Sequence, residues 1–174
     1  MRIDEIGRQP CPVAGAMAQI GDAWSWLILR EALYGRRRFS DFVRHTGAQR
    51  TVVSARLKKL VGAGILRRVE YSQHPTRHHY LLTDKGRALA PVMLALAEWG
   101  SRWPADSDRG ARSVEFTHSC GHPVDATVVC GGCQQPLRAG DVTPSFGTAG
   151  RPAAMFNPEG SPENQGNHGP RASL

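Results

Sequence analysis

No acidic residue lies between Gln49 and Arg68, a stretch whose charges are Arg50, Arg56, Lys58, Lys59, Arg67 and Arg68. A solvated helix usually mixes in Glu or Asp, so the absence raises the question of whether an anion lies against this segment. Long apolar runs are missing as well. Stretches such as Val92 to Ala97 are far too short to span a bilayer, and no charged start leads into an apolar segment. The chain therefore reads as soluble and cytoplasmic. Only four cysteines occur in 174 residues, and in a reducing compartment they favour metal binding or redox sensing over a disulfide framework. A glycine-rich phosphate loop, a paired-carboxylate spacing and a nucleophile elbow are all lacking, which argues against the usual enzyme classes.

What is present is concentrated. Residues 36–77 carry eleven basic and two acidic groups, more than the whole chain's formal excess of +7. Solubility alone gives no reason to gather charge in one window, whereas neutralising nucleic-acid phosphates requires it.

The periodicity explains how that window is built. GDAWSWLILREALYG predicts a helix with Ile20, Trp24, Leu27, Ile28 and Leu33 on one apolar face, capped by Asp22 at its start and Gly35 at its end. SDFVRHTG predicts a short second helix with Ser40 as N-cap, Phe42 and Val43 inside and Gly47 at the turn. A third helix follows and ends at Gly62 or Gly64, with Val53, Leu57, Leu60 and Val61 facing a core. Two helices joined by about three residues containing glycine form a helix-turn-helix. ILRRVEY and RHHYLL then read as a β-hairpin around SQHPT, and a hairpin directly after a helix-turn-helix is a wing. Next comes TDKGRALAPVMLALAEWGSRW, with Thr83 capping and Pro91 kinking the helix or starting a second one. Its stripe of Leu89, Val92, Met93, Leu96, Trp99 and Trp103 serves either a core or a dimer seam. The expected fold class is mainly α with a small β-hairpin wing, a winged helix-turn-helix, plus a small cysteine-containing ribbon-like module. Its divisions are a DNA-binding and dimerisation domain over 1–103, a polar linker over 104–113, the ribbon-like module over 114–143 and a disordered tail over 144–174, rich in Gly and Pro.

On the third helix Thr51, Ser54, Ala55 and Lys58 fall on the outward face. Arg50, Thr51, Ser54 and Ala55 lie near its start, where a helix in the major groove reaches base edges. Lys58 is placed for phosphate, as are Arg67, Arg68, His74 and Arg77 around the wing, while Arg56 and Lys59 border the core face and can clasp neighbouring elements. His78 and His79 belong to the wing strand, where phosphate contact or plain surface is expected rather than catalysis.

The chain resembles the HxlR-type winged-helix transcriptional regulators of bacteria. The matching pieces are CPV at Cys11 to Val13 and the block from Gly21 to Phe39 containing Trp24, Leu27, Leu29, Leu33, Gly35 and Arg38. RLKKL, AGIL, YLLT, KG and LAPVMLALAEW follow in order up to Trp99. The resemblance implies a homodimer held by the N-terminal helix and the helices after the wing, with the third helix in the major groove of double-stranded DNA. Two positions depart from the family pattern. Gln49, Arg50 and Thr51 stand where a small N-capping serine followed by proline and lysine is common, and Ala23 where a lysine often precedes the tryptophan. The first bears on base preference. The resemblance also implies a role for Cys11, just ahead of Pro12, since some relatives sense oxidants or electrophiles through a cysteine there. A helix N-terminus favours the thiolate, and the competing reading is a small residue filling the dimer seam.

His118, Cys120, Cys130 and Cys133 form a separate constellation. The Cys-x-x-Cys pair with upstream His and Cys fits tetrahedral zinc, although His118-Ser-Cys120-Gly-His122 has single gaps where a knuckle normally has two residues. Zinc, a metal-free ribbon and a redox dithiol all remain open for it. No cofactor is required by the rest of the chain. The competing function class is a protein-interaction or RNA-binding module built on this segment.

Overall fold

The structure, a computed structural model, describes residues 11–105 and 114–143. Most of the expected linker 104–113 and all of the expected tail 144–174 lie outside the described residues. The chain divides into two compact units, one ending at Val128 and one beginning at Val129, and each is described by itself.

In the first unit the order is α1 (Pro12–Ile20), α2 (Ala23–Leu33), α3 (Phe39–Thr46), α4 (Arg50–Gly62), β1 (Leu66–Gln73), β2 (Thr76–Leu82), α5 (Asp84–Arg87) and α6 (Ala90–Arg102). Cys11 is the N-cap of α1 and Pro12 occupies its first turn, where a missing N–H is no loss. The helix closes at Gly21, whose N–H meets the Met17 carbonyl at 2.7 Å. A Cβ there would lie 2.3 Å from that same oxygen, so only glycine fits.

Asp22 then starts α2. Its Oδ1 accepts the Ser25 N–H at 2.9 Å and its Oδ2 accepts the Ser25 hydroxyl at 2.7 Å. This break corrects the expected apolar face in part. Ile20 and Ile28 are buried and Leu27 and Leu33 half-buried as expected, but Trp24 is 37% exposed, and Ser25, Leu29 and Ala32 turn inward. Ser25 tolerates burial because the capping carboxylate satisfies its hydroxyl.

A second correction concerns Ser40. The N-cap of α3 is Arg38, and Ser40 lies inside the first turn. Residues 37–38 are extended and pair with β2: the Tyr80 N–H donates to the Arg37 carbonyl at 2.8 Å, and Arg38 bridges His79. The helix therefore begins directly after that isolated bridge to β2. Gly47 closes α3 in the left-handed region at φ 71°, as the sequence predicts.

One core joins these elements. Ile28, Leu29, Phe42, Val53, Leu57, Leu60, Ile65 and Leu66 are its fully buried members, and Tyr80, Leu82, Leu89 and Met93 pack against it. The hairpin turn is tighter than SQHPT suggests, since Gln73 already pairs with Thr76. The Ser72 hydroxyl donates to the Pro75 carbonyl at 3.0 Å and that of Thr76 to the Gln73 carbonyl at 3.2 Å, which lets the strands run into the turn. Thr83 caps α5 by accepting from Gly86, and Pro91 opens a separate helix rather than kinking one. No residue of α6 is fully buried: Trp99 and Trp103 are 62% and 65% exposed, and Val92 and Leu96 about half. No helix among the described residues is long and apolar enough to cross a membrane.

Asp22 is also the joint between α2 and α4, with Arg56 Nε 2.8 Å from Oδ1 and Lys59 Nζ 3.3 Å from Oδ2. Partial burial works to raise its pKa, but the Ser25 hydrogen bonds, then Arg56 and Lys59, hold it below the ordinary carboxylate value. A depressed folded-state pKa contributes stability above the unfolded value of about 3.9 and loses it as pH falls through the folded value. Asp22→Ala should therefore destabilise the domain by about 2 kcal/mol at neutral pH, from the lost cap and the orphaned Ser25 hydroxyl. Denaturant titrations should show the gap between the two proteins closing as pH drops below about 4.

Candidate nucleic-acid interface

The α4 helix is two-sided by construction. Val53, Leu57 and Leu60 point into the core, which leaves Gln49, Arg50, Thr51, Ser54, Ala55 and Lys58 exposed on the opposite face. Arg56 and Lys59 are held by Asp22; the Arg56 Nε is close enough for an ion pair without being aligned as a hydrogen bond. Lys58 makes no ion pair among the described residues. The clasp thus fixes the rotation of α4 while its outer face stays small, polar and basic.

Arg50 does not project freely. Its guanidinium lies over the Phe39 ring, 5.0 Å from the centroid, a contact of about 0.5–1 kcal/mol at an exposed site. His74 and Arg77 stand exposed at the tip of the wing. Arg67 and Arg68, neighbours on β1, point to opposite sides of the hairpin. Arg68 sits opposite Tyr80, and Arg67 lines a cleft of about 290 Å³ with Arg36, Arg37 and Arg87.

Tyr71 and Arg38, which have no part in the sequence reading of the interface, meet there with His79, for which the sequence predicts phosphate contact or plain surface. The register of the hairpin slips between Glu70 and Ser72, leaving Tyr71 without a cross-strand partner. The ring of this bulged residue stacks on His79, with centroids 4.1 Å apart and planes at 19°. Arg38 lies over the other aromatic partner of that stack, 5.7 Å from the Tyr71 centroid. Arg38 was legible as part of a basic run, but a bulge leaves no periodic trace.

Elsewhere in the first unit, His118 Nδ1 lies 3.0 Å from Cys120 Sγ, which is 3.5 Å from His122 Nδ1. In the second unit Cys130 and Cys133 share one tight turn, closed by the Gln134 N–H on the Cys130 carbonyl at 2.8 Å. The backbone N–H groups of Cys133 and Gly132, and then the Cys133 thiol, point at the Cys130 sulfur and hold its pKa below the usual thiol value. Among the described residues no three or more His, Cys, Asp or Glu side chains gather into a group that could hold a metal ion. Cys11 is half-buried at the head of α1.

Comparison with known proteins points the same way as the geometry. A family model described as HxlR-like helix-turn-helix matches residues 19–108. An uncharacterized HTH-type transcriptional regulator of Mycobacterium tuberculosis is 37% identical over 135 residues, which is 78% of this chain and 85% of that protein. The regulator YdeP of Bacillus subtilis, also uncharacterized, is 31% identical over 60% of this chain and 84% of its own length. Among solved structures, PA1607, described as a transcription factor, superimposes with a TM-score of 0.71 at 35% identity, covering 81% of this chain and 98% of the other. The redox regulator HypR in its oxidized form is similar over 55% of this chain and 99% of its own, with a TM-score of 0.51 at 31% identity.

Proposed function

Because the chain belongs to the HxlR-like helix-turn-helix family, and is therefore a DNA-binding transcriptional regulator rather than an enzyme, we propose that it works as a homodimer on a two-fold symmetric promoter site. The observation that carries this reading is the acid-free outer face of α4, exposed while its inner face is locked in the core. A major groove about 12 Å wide admits one such helix. Arg50, Thr51, Ser54 and Ala55 then meet base edges, and Lys58, Arg67, Arg68, His74 and Arg77 meet phosphates. Nuclease protection on promoter fragments from the source genome is the direct test. We expect a discrete protected region with two half-sites whose centres lie about 34 Å apart or a multiple of it. Uniform protection of every fragment would exclude sequence-specific reading.

A redox input enters through Cys11, a half-buried thiol at a helix start in a chain similar to a protein named as a redox regulator. Diamide should change the DNA affinity of the native protein and leave Cys11→Ser unaffected. Equal responses in the two proteins, or none in either, would make Cys11 a packing residue.

The zinc site proposed for His118, Cys120, Cys130 and Cys133 has its support in the Cys130 and Cys133 half, two thiols at Cys-x-x-Cys spacing with N–H groups that favour the thiolate a metal requires; two thiols alone leave a tetrahedral ion incomplete. Protein purified under reducing conditions should carry about one zinc per chain. The double variant Cys130→Ser/Cys133→Ser should carry none and keep the helical circular dichroism of the first unit. A native protein that is metal-free and takes up no zinc would end this reading.

A further inference from the structure

Between the wing and the starts of α3 and α4 lies a cleft of about 530 Å³, lined by Arg38, Phe39, Ser40, Arg50, Tyr71 and Arg77 among others. Three guanidinium groups enter it from three separate elements, and no acidic side chain lines it. None of the three forms an ion pair among the described residues. Like charges held at such close quarters repel one another, so the cleft is electrostatically incomplete as it stands.

Two of the arginines are also anchored. The guanidinium carbon of Arg38 lies 5.7 Å from the Tyr71 ring centroid and that of Arg50 5.0 Å from the Phe39 centroid, within the range of a cation–π contact. Such a contact uses none of the N–H donors of the fork, and a planar fork matches phosphate oxygens. Tyr71 itself is fixed twice: the bulge turns it out of the ladder and the His79 ring holds its plane. Bulges are a common device for re-aiming a side chain in this way.

We propose that this cleft seats one phosphodiester of the DNA backbone, gripped by Arg38 and Arg77 with the Tyr71 hydroxyl as a further donor. The assignment rests on the DNA-binding reading above. Its occupant is a duplex phosphate because the cleft opens between the start of α4 and the wing, the two elements that the DNA-binding reading sets against the duplex. Seating the backbone at that point fixes how far the first turn of α4 enters the groove, so Arg38 and Tyr71 set the register in which Arg50 meets a base. The same anion chemistry could be satisfied by free phosphate, and the experiment separates the two.

The full chain is titrated with a random-sequence duplex by fluorescence anisotropy across a salt series, for the native protein and for Arg38→Ala, Arg38→Lys, Tyr71→Phe and Lys58→Ala. Arg38→Ala should weaken binding about ten-fold and reduce the salt slope by about one unit. Arg38→Lys should restore the slope but only part of the affinity, since an ammonium lacks the fork. Tyr71→Phe keeps the ring stack and should lose a smaller factor with the slope unchanged. If Lys58→Ala weakens binding while Arg38→Ala and Tyr71→Phe behave as native, the cleft is not a phosphate seat although the DNA reading holds. If the native protein binds the duplex and no variant weakens it, neither the cleft nor the outer face of α4 carries the phosphate contacts; if the native protein does not bind duplex, the DNA reading itself fails. Inorganic phosphate, compared with chloride at matched ionic strength, should not displace the duplex from the native protein more effectively; displacement that Arg38→Ala abolishes would make the cleft a site for a small anion instead.

Discussion

Replacing Leu96 and Trp99 together by aspartate should convert the proposed dimer to a monomer at micromolar concentration, with the helix-turn-helix still folded. The α6 helix carries Val92 and Leu96, about half exposed, and Trp99, with Trp103 at its C-cap, both more than 60% exposed, and α1 adds Val13, which is 67% exposed, and Met17. Isolated apolar side chains on a surface need no explanation, but two tryptophans and two aliphatics along one helix do. Each tryptophan offers roughly 150–250 Å² to a partner, and at ~25 cal/mol per Å² one pair of facing helices recovers several kcal/mol. Carboxylates at the centre of such a seam are desolvated and face their symmetry mates, so about 4 kcal/mol or more should be lost, a shift in dimer dissociation of roughly a thousand-fold. Sedimentation equilibrium reads this directly, and a native protein already monomeric at that concentration would refute the seam. The core residues Ile28, Phe42, Val53 and Leu57 lie elsewhere, so thermal unfolding of the variant should remain cooperative. Footprints of the variant should collapse to independent half-sites.

The parts of this fold that were legible in the sequence are those decided locally. Thr83 and Gly47 cap helices through contacts within one turn of chain, Pro91 has no N–H to give a helix interior, and the inner face of α4 repeats at helical spacing. The clasp of Arg56 and Lys59 was foreseeable because both border that face. Where the structure departs from the sequence reading, a break or a distant partner decided. The face counted from Ile20 runs across the helix break at Gly21, and the start of α3 depends on Arg37 and Arg38 pairing with a strand some forty residues later. The stack of Arg38, Tyr71 and His79 needs both that pairing and a register slip in the hairpin, neither of which has a signature in composition or periodicity. The basic window located the interface as a region. Which of its arginines hold the fold together and which face outward is a tertiary fact.

Within that interface Arg50→Ala and Lys58→Ala should behave as two different kinds of loss, although both remove one positive charge from the same exposed helix face. Arg50 is in the first turn of α4, the part of a groove-bound helix that reaches base edges, and its guanidinium lies 5.0 Å from the Phe39 ring centroid. A bidentate contact to one base contributes discrimination, so its removal should lower affinity for the protected promoter site by ~1–3 kcal/mol and change binding to a scrambled duplex little. Lys58 lies two turns further along the exposed face, where the proposed docking puts phosphate rather than base edges within its reach. As a point charge against phosphate it should weaken both duplexes alike and lower the salt slope by about one unit. Phe39→Leu supplies the internal control: it keeps an apolar side chain at the head of α3 but removes the ring under Arg50, so it should erode specificity in the same direction as Arg50→Ala and to a smaller extent. The measurement is the ratio of promoter to scrambled affinity for each variant at two or more salt concentrations. If Arg50→Ala and Lys58→Ala gave the same uniform loss on both duplexes, α4 would be a backbone clamp, and sequence would have to be read by the wing.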